Sequence, residues 1–136
     1  MPKFSSTSHA RLNTCHPDLQ AICDEIIQFY DFTVIQGHRT PEDHAQYIKD
    51  GTTTVAYEKS KHSHMPSLAV DIAPYNPRVK GGVDWNDKDS FHLLAGIMFG
   101  IAKSKGIKIR WGGDWNRNWN LKDQKFFDLP HFELVM

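Results

Sequence analysis

The segment that most constrains the fold is residues 68–73, Leu-Ala-Val-Asp-Ile-Ala, because it places one acid inside a short apolar run that Pro74 closes. A run of this length and composition predicts a β-strand. Burying an isolated carboxylate is costly unless the group is paired or bound to a cation. Strand alternation therefore leaves two interpretations of Asp71: its side chain points to solvent, or it faces a site that compensates its charge.

The rest of the sequence alternates between helical and strand-like patterns. The apolar period of a helix is present in residues 17–30 and in a later segment that opens at Asp84 or Asn86 and ends before Gly106. Between them, Thr40 as a cap and Pro41 in the first turn predict another helix, which Gly51 ends. Strands are predicted at residues 32–35, 68–73, 107–111 and 131–135, with a long loop at 51–66. This order predicts an α+β fold, a small antiparallel sheet flanked by about three helices.

Length and charge narrow the function classes. The 136 residues predict a single domain, 1–136, with residues 1–14 as a loosely ordered lead-in. Because 16 basic residues balance 16 acidic ones, we expect no nucleic-acid partner. We also expect no membrane insertion, since no apolar run approaches the length of a membrane span. The first eighteen residues show no signal peptide, and the 2 cysteines suit a reducing compartment.

Ionisable residues cluster in segments 36–40, 60–64 and 128–131, and the chain has 8 histidines. Together His62, Asp71 and His131 provide the two nitrogens and one oxygen that a catalytic Zn²⁺ uses, with the fourth position left for water. Taken singly, each has an ordinary alternative: Asp71 turned to solvent, His62 on the surface of a polar loop, and His131 as a satisfied or exposed strand histidine. A metal would explain why Asp71 is tolerated in an apolar strand.

Two further residues suit a hydrolytic site. Asp128 lies three positions before His131 and could accept a proton from the attacking water, although it also fits a solvated loop carboxylate. Arg39 follows Gly37 at a strand end, where it could meet a substrate carboxylate or an oxyanion, or be an ordinary surface arginine.

The 4 tryptophans divide by their surroundings. Trp85 and Trp111, on either side of the third helix, are predicted to pack in the core. Trp115 and Trp119 lie in a loop rich in Gly and Asn, and we expect them to line a groove.

These motifs resemble the zinc peptidoglycan peptidases, which include D-alanyl-D-alanine carboxypeptidases and dipeptidases. The family pattern is a Ser-x-His segment, an Ala-x-Asp strand and a late acid-x-x-His. Here these are residues 60–62, the stretch 66–75 and the stretch 128–135. The stretches 34–40 and 110–116 resemble the phage L-alanyl-D-glutamate endopeptidases in particular.

The resemblance implies a small α+β fold with zinc at the edge of the sheet. It implies these roles: His62, Asp71 and His131 as zinc ligands, Asp128 as general base, Arg39 as an electrostatic and positioning group, and Ser60 as a substrate contact. We also expect substrate contacts from Trp115, because of its loop, and from His44. Two departures leave alternatives. His64 keeps the family's usual spacing to Asp71, whereas His62 keeps the Ser-x-His context and is preferred. His44 stands where a Gln is common.

The activity that the resemblance implies is zinc-dependent hydrolysis of the L-alanyl-D-glutamate bond of peptidoglycan stem peptides by a phage endolysin. A D-Ala-D-Ala carboxypeptidase or dipeptidase, and a non-catalytic zinc-stabilised wall-binding module, are the alternatives. We expect a monomer, made in the host cytoplasm, that reaches the wall after the membrane is permeabilised.

Overall fold

Four α-helices and four strands follow one another in residues 2–51 and 60–136, the part of the chain that the computed structural model describes. They are α1 Ser6–Leu12, α2 Pro17–Ile26, β1 Phe32–Gln36, α3 Pro41–Lys49, β2 Ala69–Pro74, α4 Lys88–Ser104, β3 Ile109–Gly112 and β4 Asp128–Leu134. Within the predicted loop 51–66, residues 52–59 lie outside the described residues, and Lys61–Ser63 form a short 3-10 turn.

The four strands form one sheet in the order β1-β2-β4-β3, and each neighbouring pair is antiparallel. The α+β fold with an antiparallel sheet is therefore confirmed. Strands β2 and β4 are central, so the backbone of each is hydrogen-bonded to a neighbouring strand on both sides. No helix of the described residues has both the length and the apolar character needed to cross a membrane.

The two faces of the central strands differ in character. One face joins the core between the sheet and helices α2 and α4; its central residues are Val70, Ile72, Phe132 and Leu134. Alternate residues point the other way. Ala69 lies opposite Glu133 and Asp71 lies opposite His131, so this second face carries the charged residues.

Helix α4 begins later than either predicted start. Asp84 instead makes a turn, accepting the backbone N–H of Asn86 on its side chain at 3.0 Å and that of Asp87 on its carbonyl at 3.1 Å. Asp87 is the residue that caps the helix, since its carboxylate accepts the backbone N–H of Ser90. The sequence predicts a start at Asp84 or Asn86, and the turn at Asp84 moves the cap to Asp87.

The expectation of a loosely ordered lead-in at residues 1–14 is wrong, because α1 packs along the free edge of β1. The buried Ser8 Oγ accepts the backbone N–H of Val34 at 3.0 Å, and Arg11 Nη1 donates to the carbonyl of Val34 at 3.1 Å. Both bonds satisfy groups that an edge strand otherwise leaves unpaired. The polar composition of α1 conceals this role, since polar side chains make these two hydrogen bonds.

Of the two tryptophans predicted in the core, Trp111 is 3% exposed and buried as expected. The prediction for Trp85 is wrong: its side chain is 55% exposed and stacks on Phe91 at the start of α4, with ring centroids 5.8 Å apart. Trp85 precedes the helix in a turn, outside the layer that α4 and the sheet enclose.

Candidate metal centre

Three elements bring His62, Asp71 and His131 together. Asp71 on β2 lies directly opposite His131 on β4, in the last pair of that ladder. His62 comes from the 3-10 turn Lys61–Ser63, which Ser60 caps by accepting the backbone N–H of His62 at 3.3 Å. The site that we expected at the edge of the sheet is thus at the end of the ladder between its two central strands.

The three candidate ligand atoms form a nearly equilateral triangle. Asp71 Oδ1 lies 3.3 Å from His62 Nε2 and 3.2 Å from His131 Nδ1, and the two nitrogens are 3.2 Å apart. Zinc binds such atoms at about 2.0–2.1 Å with tetrahedral geometry, which places neighbouring ligand atoms about 3.3–3.4 Å apart. The triangle therefore has the size of one face of a zinc tetrahedron.

Outer hydrogen bonds determine which nitrogen of each histidine faces the triangle. His62 Nδ1 donates to the carbonyl of Gly37 at 2.7 Å, and His131 Nε2 donates to Glu133 Oε1 at 2.8 Å. In the neutral rings the remaining nitrogens carry lone pairs. Three acceptor atoms thus face one another, and such an arrangement is stable only when a cation or a proton lies among them.

The pKa values of the cluster show the same demand for positive charge. Burial acts to raise the pKa of Asp71, but the neighbouring charge of His62 and the hydrogen bond from His131 outweigh it and lower the pKa. Burial acts to lower the pKa of His131, yet hydrogen bonds to Asp71 and Glu133 raise it to about 10. A bound metal cation would meet this demand in place of a proton.

The donor set suits zinc better than the other common divalent ions. Two imidazole nitrogens and one carboxylate oxygen form a frequent catalytic zinc set, whereas calcium and magnesium prefer oxygen ligands alone. Among the described residues, these three side chains each offer one ligand atom, and the three atoms all lie within 4.8 Å of one another. Three protein ligands leave one tetrahedral position for water or substrate.

The alternative ligand His64 lies outside this cluster. Its side chain is exposed, and its carbonyl accepts a hydrogen bond from His38 Nδ1 at 3.0 Å. The described geometry therefore groups His62, and not His64, with Asp71 and His131.

A register shift brings Asp128 to the site. Trp111 pairs with Phe132, but the next residue, Gly112, pairs with Asp128, so residues 129–131 loop out of the β3–β4 ladder. This break in strand alternation allows Asp128 and His131 to serve the same site although they are three positions apart. Burial raises the pKa of Asp128, and the nearby charge of Asp71 raises it further.

Arg39 lies beside the cluster with its side chain held on several sides. Its Nη2 is 3.9 Å from Asp71 Oδ2, its Nε donates to Gln36 Oε1 at 3.0 Å, and its guanidinium lies 4.3 Å above the ring of Tyr47. His44 is 2% exposed, with Nδ1 3.4 Å from Arg39 Nη1. In the described structure His44 therefore supports Arg39, and its role as a substrate contact stays a prediction.

The remaining predicted substrate contacts differ in their setting. Ser60 is buried beneath the His62 turn, whereas Trp115 is half-buried with its ring centroid 5.4 Å from that of His131. Trp115 Nε1 donates to the carbonyl of Phe126 at 3.0 Å, and the two rings stack. Trp115 is thus the predicted aromatic residue that lies against the cluster.

Two contributors to the site escaped the sequence analysis. Gly37 supplies the carbonyl that orients His62, and a side chain there would overlap the backbone of Arg11 and the hydroxyl of Thr14 on the far side. Glu133 orients His131. The sequence did carry a signal for Glu133: it lies two residues after His131 in a predicted strand, and residues two apart point to the same face of a sheet.

Comparison with known proteins supports a common origin and fold. A family model described as phage L-alanyl-D-glutamate peptidase matches residues 1–135. The L-alanyl-D-glutamate peptidase of Escherichia phage T5 is 36% identical over 138 residues, which cover 98% of this chain and 98% of that protein. The crystal structure of the Serratia marcescens L-Ala D-Glu endopeptidase ChiX superposes with a TM-score of 0.73 at 24% identity, covering 98% of this chain and 90% of that one.

Proposed function

The chain belongs to the phage L-alanyl-D-glutamate peptidase family, and on this premise we propose that it is a zinc peptidase that hydrolyses the L-alanyl-D-glutamate bond of bacterial peptidoglycan. The observation that carries the zinc assignment is the triangle of His62 Nε2, Asp71 Oδ1 and His131 Nδ1, with sides of 3.2–3.3 Å. A peptidase needs a polarised carbonyl and an activated water, and both needs suit a metal with an open position.

In the proposed enzyme His62, Asp71 and His131 hold the zinc. When bound, zinc would supply Lewis-acid chemistry, polarising the scissile carbonyl and making the attacking water more acidic. The described residues present three ligands and hold both imidazole rings through Gly37 and Glu133.

Asp128 is the proposed general base. The loop-out of residues 129–131 places it beside the cluster, and burial raises its pKa, so its carboxylate is a better proton acceptor than a solvated one. It takes the proton of the attacking water and returns it to the leaving amine. The same group thereby serves both halves of the hydrolysis.

Arg39 is the proposed electrostatic partner of the reaction. Its guanidinium lies 3.9 Å from Asp71 and is buried, so its charge is weakly screened where negative charge develops on the carbonyl oxygen. We assign substrate contact to Trp115, which lies against His131, and to Ser60 and His44, which adjoin His62 and Arg39.

We further propose that the protein acts as a monomeric phage endolysin. Its partner is then the peptide of the bacterial wall, with neither nucleic acid nor membrane insertion involved. Synthesis in the host cytoplasm, followed by access to the wall once the membrane is permeabilised, accords with the phage family.

The test is mass spectrometry of the muropeptides released from purified sacculi. The zinc-loaded protein should release stem peptides cut between L-alanine and D-glutamate. Asp128→Asn removes the proton acceptor and should lower the cleavage rate about 10²–10⁴-fold, with bound zinc, measured by elemental analysis, unchanged.

The matched control is Asp24→Asn, which neutralises an exposed aspartate on α2 and should leave cleavage intact. Release of free D-alanine without liberated stem peptides would indicate the carboxypeptidase activity instead. Stoichiometric zinc without any cleavage would indicate a wall-binding module, and absence of bound zinc would contradict the metal site.

A further inference from the structure

We propose that Glu133 is a positioning residue that selects the nitrogen through which His131 binds the metal. Its carboxylate holds the proton on Nε2, so that Nδ1 is the nitrogen left to coordinate. This inference rests on the proposed zinc site and deepens it, because it assigns the metal a particular pair of nitrogens.

The position of Glu133 follows from the strand geometry. Asp71 and His131 form one cross-strand pair of β2 and β4, and Ala69 and Glu133 form the pair two residues along on the same face. Glu133 Oε1 therefore lies beside His131, accepting from Nε2 at 2.8 Å. The opposite residue, Ala69, is too small to compete for that space.

Cations on the other side keep the carboxylate in place. Arg110, which lies opposite Glu133 on β3, donates from Nη2 to Oε2 at 2.7 Å. Lys61 Nζ lies 4.0 Å from the same oxygen. Because Glu133 is 5% exposed, its charge is costly to bury without such partners, and the two cations leave Oε1 to accept from His131.

The two histidine ligands are thus oriented by different devices. The backbone carbonyl of Gly37 accepts a hydrogen bond from His62 Nδ1–H, which leaves Nε2 for the metal. The side chain of Glu133 accepts a hydrogen bond from His131 Nε2–H, which leaves Nδ1. We therefore expect the metal to be coordinated by His62 Nε2 and His131 Nδ1. Only the choice of nitrogen in His131 depends on a side chain, so only that choice can be altered by a substitution.

The direct test is long-range ¹H–¹⁵N NMR of the imidazole rings in the zinc-loaded wild-type protein, which needs no variant. The expected spectrum shows His131 protonated at Nε2 and zinc-bound at Nδ1, with the opposite pattern for His62. Coordination of His131 through Nε2 would overturn the proposal.

The second test is the zinc affinity of Glu133→Gln, measured by calorimetric titration of the metal-free protein. Glutamine has one acceptor oxygen where both His131 and Arg110 need an acceptor, and its amide group facing Nε2 favours the wrong tautomer. We expect zinc affinity to fall about 10–100-fold, as for other outer-shell ligand partners. The control, Glu25→Gln, removes a glutamate paired with Lys105 at 3.2 Å on α2 and should leave affinity unchanged.

The outcomes separate the two proposals. Zinc binding to the wild type with equal affinity in Glu133→Gln overturns the role of Glu133 and leaves the zinc site standing. Failure of the wild type to bind zinc overturns both. If Glu133→Gln does not fold, as judged by circular dichroism, the wild-type NMR tautomers still decide the question.

Discussion

Each histidine of this site has one ring nitrogen hydrogen-bonded to a group outside the cluster. Its other ring nitrogen points into the cluster and, among the described residues, lacks a donor there. Gly37 and Glu133 each accept a hydrogen bond from one imidazole N–H, and the opposite nitrogens face Asp71 across 3.2–3.3 Å. Converging acceptors of this kind destabilise a fold unless something positive compensates them. The site is therefore prepared for a cation at some cost to the metal-free protein.

The metal-free protein should lose stability as the pH rises from about 6.5 to 8.5. The pKa of His131 is raised to about 10, against about 6.5 in an unfolded chain, so its stabilisation is complete below pH 6.5 and is lost as the pH rises towards 10. In this window the loss should be roughly 2 kcal/mol. Urea unfolding of chelator-treated protein at several pH values measures it.

The thiols of Cys15 and Cys23, buried in the fold, have a pKa of about 8.5 in an unfolded chain and therefore add a smaller pH dependence of their own near the upper end of this window. His131→Asn provides the control, since residue 131 cannot titrate there and only the shallow contribution of the two thiols should be left over the same range. A wild-type profile as flat as that of the variant would contradict the assignment.

At the scale of elements, β4 is both a core strand and the carrier of the site. Phe132 and Leu134 pack into the core, while His131 and Glu133 face the metal cluster. Residues 129–131 loop out of the β3–β4 ladder, and the pairing continues on the other side of them, where Asp128 lies opposite Gly112. A glycine is needed there because any side chain would overlap the backbone of Asp128.

Gly112→Ala should therefore disturb the strand end and the base together. Since the obstacle is backbone, β3 and β4 must separate, and we expect a loss of about 1–3 kcal/mol in unfolding free energy with a marked fall in activity. Chemical denaturation and muropeptide release measure the two effects.

The matched change is Gly96→Ala in the interior of α4, where a new Cβ meets nothing within 4 Å. It should stabilise the protein by about 0.4–1 kcal/mol, with activity unchanged, because alanine restricts the unfolded chain and favours the helix. Equal responses of Gly112→Ala and Gly96→Ala would show that the close approach to Asp128 has no effect.

At the scale of the whole molecule, the ligands join parts of the chain that are distant in sequence. His62 lies in a turn, Asp71 on β2 and His131 on β4. A metal bound by all three would tie the turn to both central strands, and this tie exists only in the folded chain. Metal binding and global stability are therefore linked.

Zinc should accordingly raise the unfolding temperature of the metal-free protein. At free zinc about 1,000 times the dissociation constant the gain is about 4 kcal/mol, or roughly 10–15 °C for a chain of this size. Scanning calorimetry with and without zinc measures the shift. His62→Asn removes one ligand and should reduce it strongly, whereas His64→Asn, the exposed neighbour, should not. If His64→Asn abolished the zinc-induced shift in unfolding temperature, the ligand would be His64 and not His62.

The sequence by itself predicted helices α2, α3 and α4, the four strands and the donor set of the candidate metal centre. Periodicity predicted α2 and the strands, the Thr40 cap predicted the start of α3, and a carboxylate in an apolar strand pointed to a compensating cation near Asp71. These are local or compositional properties, so adjacent residues suffice to reveal them.

Only the tertiary structure decided the relations between distant residues. It covered the edge of β1 with α1, set the β4 loop-out that brings Asp128 to the cluster, grouped His62 in place of His64, and placed Glu133 behind His131. Each of these depends on strand register or on a contact between separate elements. Spacing along one element shows which of its residues share a face, but not which residues of another element the folded backbone places opposite them.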